Sequence, residues 1–226
     1  MAQLPLELKL KAHASFDAFV AGANLTAAEH VRSVAVGDRS DCVWVYGPKS
    51  TGKSHLLAAA CRAASEKGQR AIYLSPDSVA EPEMLRQLED TDFVALDDAQ
   101  RVAGDPEWEQ ALFSLFNARL QKGGLVVAAT AAPRETGFML DDLVSRAGAA
   151  ATYRLEYLDD EDLRAAAQRH ATMRGLSLEP AALSYLLQRV SRDLAELTGL
   201  LDRIDRYALA AKRKITIPLL REVMST

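Results

Sequence analysis

Cys42-Val43-Trp44-Val45-Tyr46-Gly47-Pro48-Lys49-Ser50-Thr51-Gly52-Lys53-Ser54 is the stretch on which the fold turns. Its first five residues are all apolar, and four are β-branched or aromatic, which reads as a strand buried on both faces. Gly47 ends the strand, and Gly47 to Ser54 then match GxxxxGK[ST] at every fixed position. Glycine lets such a loop curl until its N–H groups point inward at phosphate oxygens. The helix that follows, predicted from Lys53 through Ala64 and ending near Gly68, adds its positive N-terminal end. On this reading Gly47, Pro48, Lys49, Ser50, Thr51, Gly52, Lys53 and Ser54, with His55 next to them, form the set that binds ATP or ADP. Lys53 reaches the β- and γ-phosphates, and the Ser54 hydroxyl ligates Mg2+. A chance match explains the motif poorly, because a hydrophobic strand precedes it and a helix follows it.

Outward from that stretch, strands and helices alternate. Arg70 to Leu74 reads as a second strand, and Phe93-Val94-Ala95-Leu96 as a third, preceded by a polar helix around Glu83 to Leu88. Pro106 suits a helix start, where its missing N–H is harmless, and the helix presents Trp108, Ala111, Leu112, Leu115 and Phe116 to a core. Gly123-Gly124 stop it before a strand over Leu125 to Ala129, and Thr152 to Leu155 form the last strand. This pattern predicts an α/β fold, a five-stranded parallel sheet covered by helices on both faces. The third strand leads into Asp97-Asp98, at the place where a P-loop protein carries its Walker B acids. Asp97 there holds magnesium through water, and Asp98 orients or polarises the attacking water. The plainer alternative is a pair of acids capping a loop.

After Tyr157 the strands cease. Asp159-Asp160-Glu161-Asp162 put acids at a helix N-terminus, where the macrodipole favours them, and Gly175 ends that helix. Pro180 opens a second helix, Asp193 to about Arg213 form a long third, and a short fourth follows Pro218. The expected organisation is a leader over 1–15, an α/β nucleotide-binding domain over 16–155, and a small all-α lid over 156–226.

Composition sets the outer limits. At 226 residues, 49% hydrophobic and 26% charged, the chain is ordinary globular material for one large domain and a small one. No apolar run approaches the roughly 20 residues of a membrane span, and no signal-peptide pattern opens the chain, so a cytoplasmic protein without a membrane partner is expected. The net charge of −4 argues against a protein whose main work is gripping a DNA backbone. Up to Leu155 there are 16 basic and 20 acidic residues, and beyond it 11 of each, so neither part is a basic arm. Lys212-Arg213-Lys214 reads as a solvated helix end. Cys42 and Cys61 read as buried reduced thiols, and His13, His30, His55 and His170 show no metal-ligand spacing.

Leu96-Asp97-Asp98-Ala99-Gln100, the phosphate loop and the helical lid together resemble the AAA+ domain of the bacterial replication initiator DnaA. Further residues resemble one branch of that family, the Hda-type regulatory inactivators of DnaA, over essentially the whole chain. Gln3-Leu4-Pro5-Leu6-Glu7-Leu8 is similar to their β-sliding-clamp peptide, with Gln3, Leu4, Leu6 and Leu8 as anchors and Glu7 where a Pro is common. Leu143-Val144-Ser145-Arg146 resembles the segment carrying the arginine finger, which implies that Arg146 acts in trans on a neighbour's γ-phosphate. Arg192, in Arg192-Asp193-Leu194, stands where a lid arginine reaches the chain's own nucleotide. Ala129-Thr130-Ala131-Ala132-Pro133 replaces the Asp-Arg-Pro-Pro common in relatives, leaving Thr130 as an uncharged phosphate or water contact. Phe16, Phe19, Gly22 and Asn24 resemble the segment that lines the base. The chain ends after the lid, without the initiator's DNA-binding domain.

The resemblance implies an ADP- or ATP-bound regulator, tethered to the DNA-loaded clamp, that speeds hydrolysis of ATP on the DnaA AAA+ domain. DNA is reached mainly through the clamp, and a homodimer stays open. Its own ATP turnover is expected to be slow or absent, because both Walker B acids are Asp and Thr130 is uncharged. Two alternatives remain: a DnaC-like ATPase loading helicase on single-stranded DNA, and an adaptor that recruits the initiator without stimulating hydrolysis.

Overall fold

The computed structural model describes residues 14–78, 81–189, 194–211 and 213–225. Gln3, Leu4, Leu6, Leu8 and Arg192 lie outside the described residues. In chain order the elements are α1 (Leu25–Ala35), β1 (Cys42–Tyr46), α2 (Lys53–Glu66), β2 (Ala71–Leu74), α3 (Glu83–Arg86), β3 (Phe93–Leu96), α4 (Pro106–Lys122), β4 (Leu125–Ala129), α5 (Asp141–Gly148) and β5 (Ala151–Arg154). Four helices follow: α6 (Asp160–Met173), α7 (Pro180–Leu187), α8 (Leu194–Ala211) and α9 (Ile217–Ser225).

All strand pairs are parallel and the sheet order is β2-β3-β4-β1-β5. The chain leaves β1, jumps to the far edge at β2, returns through β3 and β4, and crosses to β5 on the other side of β1. Open parallel sheets bind ligands at the carboxyl ends of the strands where the order switches in this way. The segment after β1 opens there.

Strand alternation divides the apolar residues into two layers. Val43, Val45, Phe93, Ala95, Val126 and Ala128 pack with α1 and α2. Trp44, Val94, Leu96, Leu125 and Val127 pack with α3, α4 and α5 on the opposite face. Trp44 is fully buried, yet its indole Nε1–H donates to Ala131 O at 3.0 Å, so the ring also pins the chain just past β4. Arg119 is buried too: it donates to Leu88 O at 2.6 Å and to Asp92 O at 3.4 Å, clipping α4 to the chain entering β3.

Helices α6 to α9 enclose a core of their own, with Leu186, Leu197, Leu201, Ile204, Leu219 and Leu220 at its centre. Asp159 caps α6 by accepting from Asp162 N at 2.8 Å. The passage between the two parts is held by Asn24, whose side chain donates to Glu156 O and accepts from Glu156 N at 2.9 and 2.8 Å, as a neighbouring strand would.

The sequence reading missed α1 and α5, placed β2 one residue early at its start, and shifted β5 by one. Its polar helix before β3 is a short α3 continued by a 3-10 turn over Gln87–Asp90. Among the described residues, no helix is long and apolar enough to cross a membrane.

Candidate nucleotide site

The loop between β1 and α2 is shaped by backbone that only certain residues tolerate. Gly47 has φ +150°, and a Cβ there would stand 2.5 Å from Leu155 O, just past β5. Gly52, the N-cap of α2, has φ +94° and lies against the Phe19 ring. Ser50 takes φ +70° without being glycine, a conformation that surrounding contacts must hold. Those contacts come from the loop itself. Lys53 Nζ donates to Gly47 O and to Pro48 O, both at 2.7 Å, and Thr51 Oγ1 donates to Pro48 O at 3.0 Å. Burial lowers the Lys53 pKa, and Asp97 and Asp98 offset part of that effect. Among the described residues, the N–H groups of Lys49, Ser50 and Gly52 donate to no backbone or side-chain acceptor. A buried ammonium, open N–H groups and a helix N-terminus form a cradle for a phosphate chain.

The acidic side follows from strand parity. Asp97 continues the alternation of Phe93 and Ala95, so its side chain falls on the α2 face. It is only 3% exposed, and both carboxylate oxygens are held: Asp98 N donates to Oδ1 at 3.0 Å and Tyr73 Oη donates to Oδ2 at 2.6 Å. Burial together with Asp97 raises the Tyr73 pKa. Asp98 sits at φ +54°, which turns it out of the strand pattern. Gln100 Nε2 donates to Asp98 Oδ1 at 3.0 Å, while Gln100 Oε1 accepts from Thr130 N at 3.1 Å. One side chain thus joins the ends of β3 and β4. Arg101 adds a distant contact to Asp98 at 3.9 Å and a closer one to Asp77 at 2.7 Å.

Ser54 and Asp97 are hard oxygen donors on adjacent elements, the chemistry magnesium prefers. Among the described residues, no group of three or more His, Cys, Asp and Glu could hold a metal by itself. A cation here would complete its shell with phosphate oxygens and water, as magnesium in phosphate sites does.

The remaining site candidates lie elsewhere. Arg146 is exposed on α5, on the sheet face opposite α2, and makes no ion pair or side-chain hydrogen bond among the described residues. The helix beneath it is fixed from below. Glu109 of α4 is 1% exposed and accepts from Gly104 N at 2.7 Å, Met139 N at 2.9 Å and Leu140 N at 2.7 Å, which holds the turn leading into α5. Met139 itself is 72% exposed beside that turn. On the other side of the loop, the buried Phe19 ring packs on His55 with centroids 5.6 Å apart, and His55 meets His170 of α6 at 5.5 Å. Arg169 of α6 donates to Phe19 O at 3.4 Å, so the helical part touches both the first turn of α2 and the segment before α1.

Tyr73 and Glu109 escaped the sequence reading, and Gln100 entered it only as part of a quoted motif. Each acts through a partner distant in sequence, so no local spacing marks it.

The chain is similar to known proteins along most of its length. The family model "Bacterial DnaA ATPase domain" matches residues 10–152, and "Hda, lid domain" matches residues 159–224. Domain III of the Thermotoga maritima replication initiation protein DnaA superposes with a TM-score of 0.80 at 20% identity, covering 95% of this chain and 96% of that one. AMPPCP-bound DnaA from Aquifex aeolicus gives 0.72 at 24% identity, over 86% of this chain and 66% of that one. The Thermotoga maritima RuvB Holliday junction branch migration motor gives 0.65 at 18% identity, over 93% and 73%. These likenesses show an α/β AAA+ fold with a helical lid. Since the first model alone takes in more than half of the chain and the second takes in the helices after it, this protein belongs to the family of bacterial DnaA ATPase domains and carries a lid of the Hda type.

Proposed function

We propose that this chain is a nucleotide-bound regulator that inactivates the replication initiator DnaA by stimulating hydrolysis of the ATP that DnaA holds. The observation that carries the reading is the state of Arg146: a guanidinium left without a partner among the described residues, on a short helix whose approach is fixed by hydrogen bonds to the buried Glu109. Among the described residues no group of its own fold engages this cation. One meant for a neighbour's γ-phosphate must be presented free and in a defined position, in a head-to-tail contact.

The phosphate loop, with Lys53, Ser54 and His55, holds the chain's own ADP or ATP, as the AMPPCP in the Aquifex aeolicus relative supports. Magnesium bound beside Ser54 and, through water, Asp97 would neutralise charge between the outer phosphates. Asp98 and Thr130, joined by Gln100, face the terminal phosphate and its water, and Arg192 from the lid reports whether the site is filled. Gln3, Leu4, Leu6 and Leu8 tether the chain to the β-sliding clamp on DNA in the bacterial cytoplasm, so hydrolysis follows clamp loading. An exposed Gln with spaced leucines suits an apolar pocket with a polar rim.

The test follows radiolabelled ATP bound to DnaA, with clamp loaded on DNA, with and without this chain. Conversion to ADP should accelerate with the wild type and fail with Arg146→Ala and with Gln3, Leu4 and Leu6 changed together to Ala. Untouched DnaA-bound ATP, alongside hydrolysis by this chain on single-stranded DNA, would replace the inactivator with a DnaC-like helicase loader.

A further inference from the structure

We infer that Tyr73 is a positioning residue of the cation side of the site: its phenol orients the Asp97 carboxylate and sets how strongly a divalent cation tightens nucleotide binding. The inference rests on the nucleotide reading above. Tyr73 stands on β2, paired in register with Ala95, two residues before Asp97, so parity places both side chains on the α2 face. There the phenol donates to Asp97 Oδ2 at 2.6 Å.

Asp97 can turn about its Cβ–Cγ bond, and its other oxygen is held only by Asp98 N at 3.0 Å. With the phenol in place both oxygens are tied, and the carboxylate plane is fixed relative to β2. The carboxylate is thereby oriented before any ligand arrives. Partners that orient metal-binding groups in this way typically contribute about 10- to 100-fold to metal affinity. Phenylalanine keeps the ring but removes the hydrogen bond to Asp97, so Tyr73→Phe isolates the orienting contact.

The experiment measures affinity for a fluorescent ADP analogue in EDTA and across a Mg2+ titration. Wild type should bind more tightly with Mg2+. In Tyr73→Phe the affinity gain from Mg2+ should shrink by about 10-fold, while affinity in EDTA stays within about 2-fold. On an Asp97→Asn background the same change should cost nothing further, because the carboxylate that the phenol orients is already gone. An unchanged gain in Tyr73→Phe, an equal loss in EDTA, or full additivity with Asp97→Asn would each overturn the assignment. Absence of any wild-type binding would instead sink the nucleotide reading, and thermal unfolding of the nucleotide-free variant separates both results from loss of the fold.

Discussion

The phosphate loop and the α5 helix handle charge in opposite ways. At the loop the buried charges are turned inward: Lys53 is held by two carbonyls of its own loop, and Asp97 is held by Tyr73 and Asp98 N. At α5 the charge points outward from a helix whose foundation carries the buried hydrogen bonds. Glu109 takes the N–H groups of Met139 and Leu140, and Arg146 is left to solvent. A site for the chain's own ligand is built from mutual satisfaction. A residue for another molecule is left unsatisfied, and its placement is delegated to a buried neighbour.

The contrast is sharpened most by Arg146→Ala. Its stimulation of DnaA-bound ATP hydrolysis should fall about 1,000-fold, the scale of an arginine finger. The variant's own nucleotide affinity should hardly move, and urea unfolding should shift by less than about 0.5 kcal/mol, as for an exposed unpaired side chain. A large loss of stability would show that the arginine serves its own fold, and the comparison would collapse.

Glu109→Ala tests the foundation. It takes the buried carboxylate away from three part-buried backbone donors, and urea unfolding should show a loss of about 2 kcal/mol. Glu109→Gln retains one acceptor oxygen and should lose less. An unchanged unfolding midpoint in the alanine variant would mean that the turn before α5 is held by something else.

Lys53→Ala is the mirror image of the finger variant. Affinity for ADP, read by the fluorescent analogue, should drop roughly 100-fold, for the loss of charge-assisted hydrogen bonds worth about 2.5 kcal/mol. Affinity that survives intact would remove the cradle from the loop.

The smallest effect concerns Cys42 and Cys61, both buried and unbridged. Burial pushes each thiol from the ordinary 9.0 up to about 11. A folded pKa above the unfolded one gives stability that is complete below pH 9 and lost as pH rises towards 11. At pH 8 both thiols should therefore react slowly with a disulfide reagent, and quickly once the protein is unfolded in guanidinium. Fast reaction in native buffer would place them at the surface.

Much was legible from local residues. Five apolar residues, a glycine loop and a following lysine read as strand, cradle and helix because each depends on neighbours a few positions away. Asp97 was found for the same reason, since an apolar strand ending in acids is a local pattern. Helix α1 was missed because its buried Ala27, Ala28, His30, Val31 and Val34 give a weak apolar stripe. Helix α5 was missed because only Leu143 and Ala147 of its eight residues are buried.

Local pattern alone therefore carries the strand–loop–helix unit, the alternation that makes the sheet parallel, and the change to helices after Tyr157. These follow from backbone propensity and hydrophobic period, which act over a turn or a strand. It takes the packed chain to place β1 between β4 and β5, to bring Tyr73 to Asp97, to span Gln100 to Thr130, and to set Glu109 under the turn before α5. Those pairings join residues from 24 to 31 positions apart or depend on strand order. For Asp97 and Glu109 the partner is chosen by burial, where an unmet donor or acceptor is costly, and burial is a property of the packed chain rather than of any segment.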